Sequence, residues 1–96
     1  MTTSALLTPE EVQSRLSSLR GWALEGPVIR KTLRFPSFAA AIAFVDKVAV
    51  IADAADRHPD IAIHYDRVTL TLSTHSAGGL TERDFALAAE IETVAP

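Results

Sequence analysis

The sequence predicts an α+β domain, a four-stranded antiparallel sheet with helices on one face in the order α-β-β-α-β-β-α. Three observations predict it. Two capping boxes, Thr8-Pro-Glu-Glu11 and Thr81-Glu-Arg-Asp84, each open an apolar run at helical spacing. Residues 22–35 and 61–73 each hold two β-rich runs around a turn signal, and their apolar residues alternate with polar ones as in a sheet covered on one face. One long helical pattern fills 38–55 between these hairpins, so strands and helices arrive in blocks rather than as βαβ units.

The first helix is read as 8–20. Thr8 is its N-cap, Pro9 suits the first helical position, and Leu7 with Val12 stands where a hydrophobic staple would. Val12, Leu16 and Leu19 form one narrow apolar stripe, and Arg20-Gly21 supplies the stop. Trp22 to Glu25, the Gly26-Pro27 break and Val28 to Phe35 make the first hairpin. Ile29, Leu33 and Phe35 share one face, interrupted by Lys31 as happens near a strand end or edge, and Arg30, Thr32 and Arg34 share the other.

Pro36 ends that strand and Ser37 caps the helix 38–55. Phe38, Ile42, Val45, Ala49 and Ala52 form the expected core stripe, with Phe44, Val48 and Ile51 on an adjoining face. A helix apolar over more than half its circumference must bury a second face, which makes this helix a candidate subunit interface; the rival reading is a short helix wrapped by loops. Beyond His58-Pro59, Ile61, Ile63 and Tyr65 alternate with polar neighbours, then Val68, Leu70 and Leu72, with Asp66-Arg67 read as the turn. His75 to Gly79 reads as a loop. Thr81 caps the last helix, which runs to about Thr93 with Leu80 and Phe85 as its staple.

At 96 residues the chain has room for a single domain. A net charge of −3 lacks the basic footprint of a nucleic-acid binder, so no nucleic-acid partner is expected. Asp46, Lys47 and Asp53 break the apolar segment 38–55, so no membrane span is expected. Absence of cysteine excludes thiolate chemistry and fits a reducing compartment, and the first eight residues lack the basic start of a signal peptide. A cytoplasmic location is the expectation.

The candidate chemistry lies in two turns. His58 stands before Pro59 among Asp53, Asp56, Arg57 and Asp60; His75 follows Ser73-Thr74 and leads into Gly78-Gly79. Imidazole donates and accepts protons near neutral pH, and loops at the ends of rigid elements carry function. Each histidine also has a plain structural reading as a turn residue, and His64 reads as strand surface. Asp84 is accounted for as a helix cap. No histidine pair stands at the spacing that would place both on one helix face, so no metal is expected. The nucleophile elbow and the phosphate-binding glycine loop are both missing from the sequence.

The spacing Asp53, Arg57-His58-Pro59, Tyr65, Ser73-Thr74-His75 and Asp84 resembles the motif of the pterin-4a-carbinolamine dehydratases, and Gly21-Trp22 and the element order extend the likeness over the whole chain. That resemblance implies dehydration of a 4a-hydroxytetrahydropterin to a quinonoid dihydropterin by histidine acid–base catalysis, without metal or cofactor. It implies His58 and His75 as catalytic residues and Asp53, Asp56, Arg57, Pro59, Thr74 and Asp84 as substrate-binding residues. It further implies a homodimer or homotetramer packed through helix 38–55. Arg57 departs from the family, which carries a first histidine at this position. A guanidinium does not act as a base, so a lowered activity is expected, with Arg57 binding or polarising substrate and His75 carrying most of the proton transfer. The competing reading is a non-catalytic dimerisation module that retains the dehydratase fold.

Overall fold

The computed structural model describes residues 5–96; Met1 to Ser4, half of the segment read as lacking a signal sequence, lie outside the described residues. Helix α1 (Pro9–Leu16) is followed by strands β1 (Ala23–Glu25) and β2 (Val28–Arg34), helix α2 (Phe38–Ala55), strands β3 (Asp60–His64) and β4 (Arg67–Leu72), and helix α3 (Glu82–Glu92). All strand pairs are antiparallel, and the sheet order is β1-β2-β4-β3. The predicted order and class hold.

Register sorts the two faces. Ile29 opposes Leu72, Lys31 opposes Leu70 and Leu33 opposes Val68 on the face that the helices cover. Phe44 and Val48 of α2, Phe85, Ala88 and Ile91 of α3, and Val12 of α1 complete that core, and the Phe35 and Phe44 rings lie 5.0 Å apart. On the other face Thr32 and Thr69 share a hydroxyl hydrogen bond of 2.9 Å, and Arg30 Nε donates to Thr71 Oγ1 at 3.2 Å. Because β1 is short, Lys31 has no neighbour on that side; Nζ instead donates to Glu92 Oε2 at 2.7 Å. The same oxygen accepts Trp22 Nε1 at 3.0 Å, so a lysine set into the core face is neutralised at its rim.

Both capping boxes are present, and Ser37 Oγ accepts the Ala40 amide. Four expectations are corrected. Helix α1 stops at Leu16 rather than residue 20, because the Ser17 and Ser18 hydroxyls turn back onto the Ser14 and Arg15 carbonyls and compete with the helix ladder. The second hairpin turns on Tyr65-Asp66 rather than Asp66-Arg67; Arg67 already pairs with His64, and Tyr65 takes φ 58. Segment 75–79 opens as a 3₁₀ turn, His75–Ala77, rather than a plain loop. On α2 the buried residues are Ala41, Phe44, Val48 and Ala52, so of the expected core stripe only Ala52 is buried. Phe38 is 50% exposed and Val50 70% exposed, and Ala49 next to Val50 is open to solvent. Covering both flanks equally well, the sequence did not say which one the sheet would take. No helix among the described residues is long and apolar enough to cross a membrane.

Candidate active site

Two chain segments meet where β3 begins and β4 ends. The first is the stop of α2. Pro59 forbids a helix at this point, and Asp56 takes the left-handed conformation with φ 53 while Arg57 N–H reaches back 3.0 Å to the Ala52 carbonyl. That reversal turns Arg57 and His58 away from the helix axis. The second segment follows β4. Thr74 and Gly79 bridge across the 3₁₀ turn, the Thr74 N–H donating to the Gly79 carbonyl at 2.8 Å, with Gly78 at φ 78 supplying the left-handed residue that closes it.

A buried carboxylate joins the two. Asp84 is 1% exposed and anchors the start of α3. Its Oδ2 accepts the Thr81 amide at 2.9 Å and the Thr74 hydroxyl at 2.8 Å, and its Oδ1 accepts Arg57 Nη2 at 3.0 Å. Arg57 Nη2 also lies 2.7 Å from Thr74 Oγ1 and 3.4 Å from the Ser73 carbonyl. The proton order follows from valence. A carboxylate only accepts, so Thr74 gives its one proton to Asp84 and the Thr81 hydroxyl, 2.9 Å away, donates to Thr74. No buried side-chain nitrogen or oxygen among the described residues is left unpaired. Such a satisfied network fixes geometry rather than waiting for a ligand. Thr74 immediately precedes His75, so the backbone that carries His75 is pinned by Arg57 and Asp84.

Above this floor opens a cleft of about 420 Å³, lined by Asp56, Arg57, His58, Asp60, Thr71, Ser73, Thr74, His75, Ser76 and Arg83. That volume suits a small ligand. Five residues singled out in the sequence line it: His58, His75, Asp56, Arg57 and Thr74. Three others stand outside the lining. Asp84 lies beneath it, Pro59 shapes the turn, and Asp53 sits outside with Oδ1 3.0 Å from His58 Nε2. Since that carboxylate oxygen accepts, His58 carries a proton on Nε2, and in the neutral imidazole Nδ1 is then the acceptor. His64 is bound to Arg67 at 2.9 Å and lies away from the cleft. Sequence reasoning assigned no role to Thr71, Ser73, Ser76 or Arg83. Thr71 and Ser73 share the polar alternation of β4 that the strand pattern already displayed, but Arg83 carried no local signal. Among the described residues no cluster of metal-ligating side chains occurs.

Comparison with known proteins agrees with the fold. The family model described as pterin 4 alpha carbinolamine dehydratase matches residues 5–94. A protein of Roseiflexus castenholzii is 55% identical over 91 residues, covering 95% of this chain and 98% of its own. One of Acidobacterium capsulatum is 57% identical over 90 residues, covering 94% and 98%. Both carry the provisional name pterin-4-alpha-carbinolamine dehydratase. Among solved structures, a transcriptional coactivator/pterin dehydratase from Brucella melitensis superposes with a TM-score of 0.89 at 35% identity, covering 94% of this chain and 98% of its own. A pterin dehydratase-like protein identified as a RuBisCO assembly factor in the alpha-carboxysome superposes with a TM-score of 0.63 at 28% identity, covering 77% and 86%. The chain belongs to the pterin-4a-carbinolamine dehydratase family.

Proposed function

We propose that this protein dehydrates a 4a-hydroxytetrahydropterin to the quinonoid dihydropterin, acting in the cytoplasm in support of pterin recycling and needing no cofactor. The observation that carries the reading is that His58 and His75, from separate segments, line one cleft beside a fixed guanidinium. Departure of hydroxide from C4a requires a proton donor, and formation of the new double bond requires a proton to leave a ring nitrogen. His58 and His75 serve as acid and base, with His75 carrying most of the proton transfer. Arg57 does neither. Held by Asp84, it binds the substrate or polarises it, and it keeps the Thr74-His75 segment in place. Asp56 and Thr74 contribute polar contacts from the cleft wall, Asp53 orients His58, and Pro59 fixes the turn.

A dehydration assay on the purified protein tests this. We expect His75→Ala to lose about 100-fold or more in turnover, the usual contribution of a positioned acid or base. Unchanged turnover in His75→Ala rejects the role of that residue, and a wild type without activity rejects the enzyme. A rise in turnover in Arg57→His identifies Arg57 as the residue that limits the rate.

A second reading, a non-catalytic interaction module, draws on the outward face of α2, where Phe38 and Val50 are exposed. A fold neighbour identified as an assembly factor supports it too. Both readings use the same surface: we propose that copies of the chain pair through helix 38–55 as a homodimer or homotetramer. Saturable pterin binding favours the enzyme, and a co-purifying protein held through α2 favours the module.

A further inference from the structure

The cleft holds two guanidiniums whose donors are not used up. Arg57 engages the Ser73, Thr74 and Asp84 oxygens through Nη2 alone, although its side chain is only 14% exposed. Its Nε and Nη1 have no partner among the described residues, and no fully buried polar side-chain atom there lacks one. These donors therefore reach solvent. The spaces Arg57 lines are the cleft itself and a smaller groove behind it that includes Ala55, Leu87 and Glu90. Arg83 lines the same two spaces, so the two side chains form their common wall.

Arg83 occupies the second position of α3, where a cation opposes the helix dipole. Among the described residues its guanidinium forms neither an ion pair nor a hydrogen bond; only its amide is engaged, by Thr81. Asp56 and Asp60 share the cleft lining, yet neither forms an ion pair with Arg57 or Arg83. Two planar forks with open donors that line one cleft match the oxygens of a carboxylate or a phosphate, although Arg57 already has Asp84 as its counterion.

We infer that the ligand of this cleft carries an acidic arm, a carboxylate or a phosphate ester, bound between Arg57 and Arg83. The inference rests on the pterin reading for the rest of the ligand and names the class of pterin: one with an anionic substituent on its pyrazine ring.

Three pterins that differ at C6 test it by fluorescence titration at low salt: 6-hydroxymethylpterin, 6-carboxypterin and 6-hydroxymethylpterin phosphate. At least one anionic pterin is expected to bind about tenfold tighter than the neutral one, the scale of one charge-assisted hydrogen bond. In Arg83→Gln, an exposed position, the advantage is expected to vanish while the neutral pterin binds as before. Which anionic pterin gains more tells carboxylate from phosphate. Equal affinities for all three overturn the acidic arm and leave the pterin reading standing. If no pterin binds, the same two proteins are titrated with inorganic phosphate. Phosphate binding by the wild type and not by Arg83→Gln then upholds the anion site without the pterin, and no phosphate binding overturns it.

Discussion

Arg57 Nη2 lies 3.0 Å from Asp84 Oδ1, an ion pair between the stop of α2 and the first turn of α3 across 27 positions of sequence. Arg57 is therefore not a loose side chain on the cleft wall. It is the counterion of the most deeply buried acid in the molecule, and the Thr74 hydroxyl completes the triad.

Removing that acid leaves Arg57 uncompensated and takes away the α3 capping partner. Asp84→Ala is expected to cost about 3–5 kcal/mol, the range for breaking one side of a buried pair. Urea unfolding followed by circular dichroism measures it. A loss below about 1 kcal/mol would show the pair to behave as a surface contact.

Glu92 is the second anchor, accepting Lys31 at 2.7 Å and Trp22 at 3.0 Å on one oxygen. Glu92→Ala strands a lysine whose side chain is 14% exposed and leaves the indole N–H without its acceptor. We expect a loss of about 1–3 kcal/mol together with a shift in tryptophan emission, since Trp22 is the sole indole. Unaltered emission in the folded variant would show that the indole is indifferent to Glu92.

Phe38 opens α2 on its outward face. An aspartate there complements the helix dipole, so Phe38→Asp is expected to leave the fold intact while it charges the proposed contact between copies. Sedimentation equilibrium at micromolar concentration should give the mass of an oligomer for the wild type and a lower mass for the variant. A wild-type mass equal to one chain would remove the interface on α2.

Arg15 and Glu82 tie α1 to α3 through a two-pronged pair, Nε to Oε1 at 2.9 Å and Nη2 to Oε2. Arg15's hydrogen bonds hold the Glu82 carboxyl below its ordinary value. A carboxylate lowered in the folded state stabilises above its unfolded pKa, and that contribution is lost as pH falls through the folded value. Glu82→Gln should therefore lower the melting temperature slightly at pH 7 and match the wild type in acid below the carboxylate range. Equal melting temperatures at pH 7 would show the pair to be idle.

How much of this was legible depended on sequence distance. Thr8 with Glu11, Thr81 with Asp84, and Ser37 with Ala40 are contacts made three residues apart, and the pattern displays them directly. The face of α2 was not legible, because apolar residues surround it and only the sheet decides which side is covered. Tyr65 misled for another reason: a bulky residue in the left-handed region is uncommon, so the turn was placed one residue late. In the site, the two histidines were readable from their place at breaks. The partners that organise them were not. Arg57 finds Thr74 and Asp84 at separations of 17 and 27 positions, and nothing local announces it. Arg83 carries no local signal either, and only the fold brings it to the cleft that Arg57 lines.

The Asp84 network also bears on the order in which the molecule assembles. Its members come from the end of α2, the end of β4 and the start of α3, so no two consecutive elements can close it. The Thr81 amide is a local partner, but the end of α2 and the end of β4 must be docked before the carboxylate gains Arg57 and Thr74. We therefore expect the floor of the cleft to close after the folding barrier. Interactions formed that late act on the rate of opening and leave the rate of closing nearly untouched. In a chevron analysis, weakening the network at Thr74 should speed escape from the native state without slowing its recovery, and a slowed refolding limb would place the network in the folding nucleus instead. The residues proposed to set the chemistry of the cleft would then also set how long a folded molecule lasts.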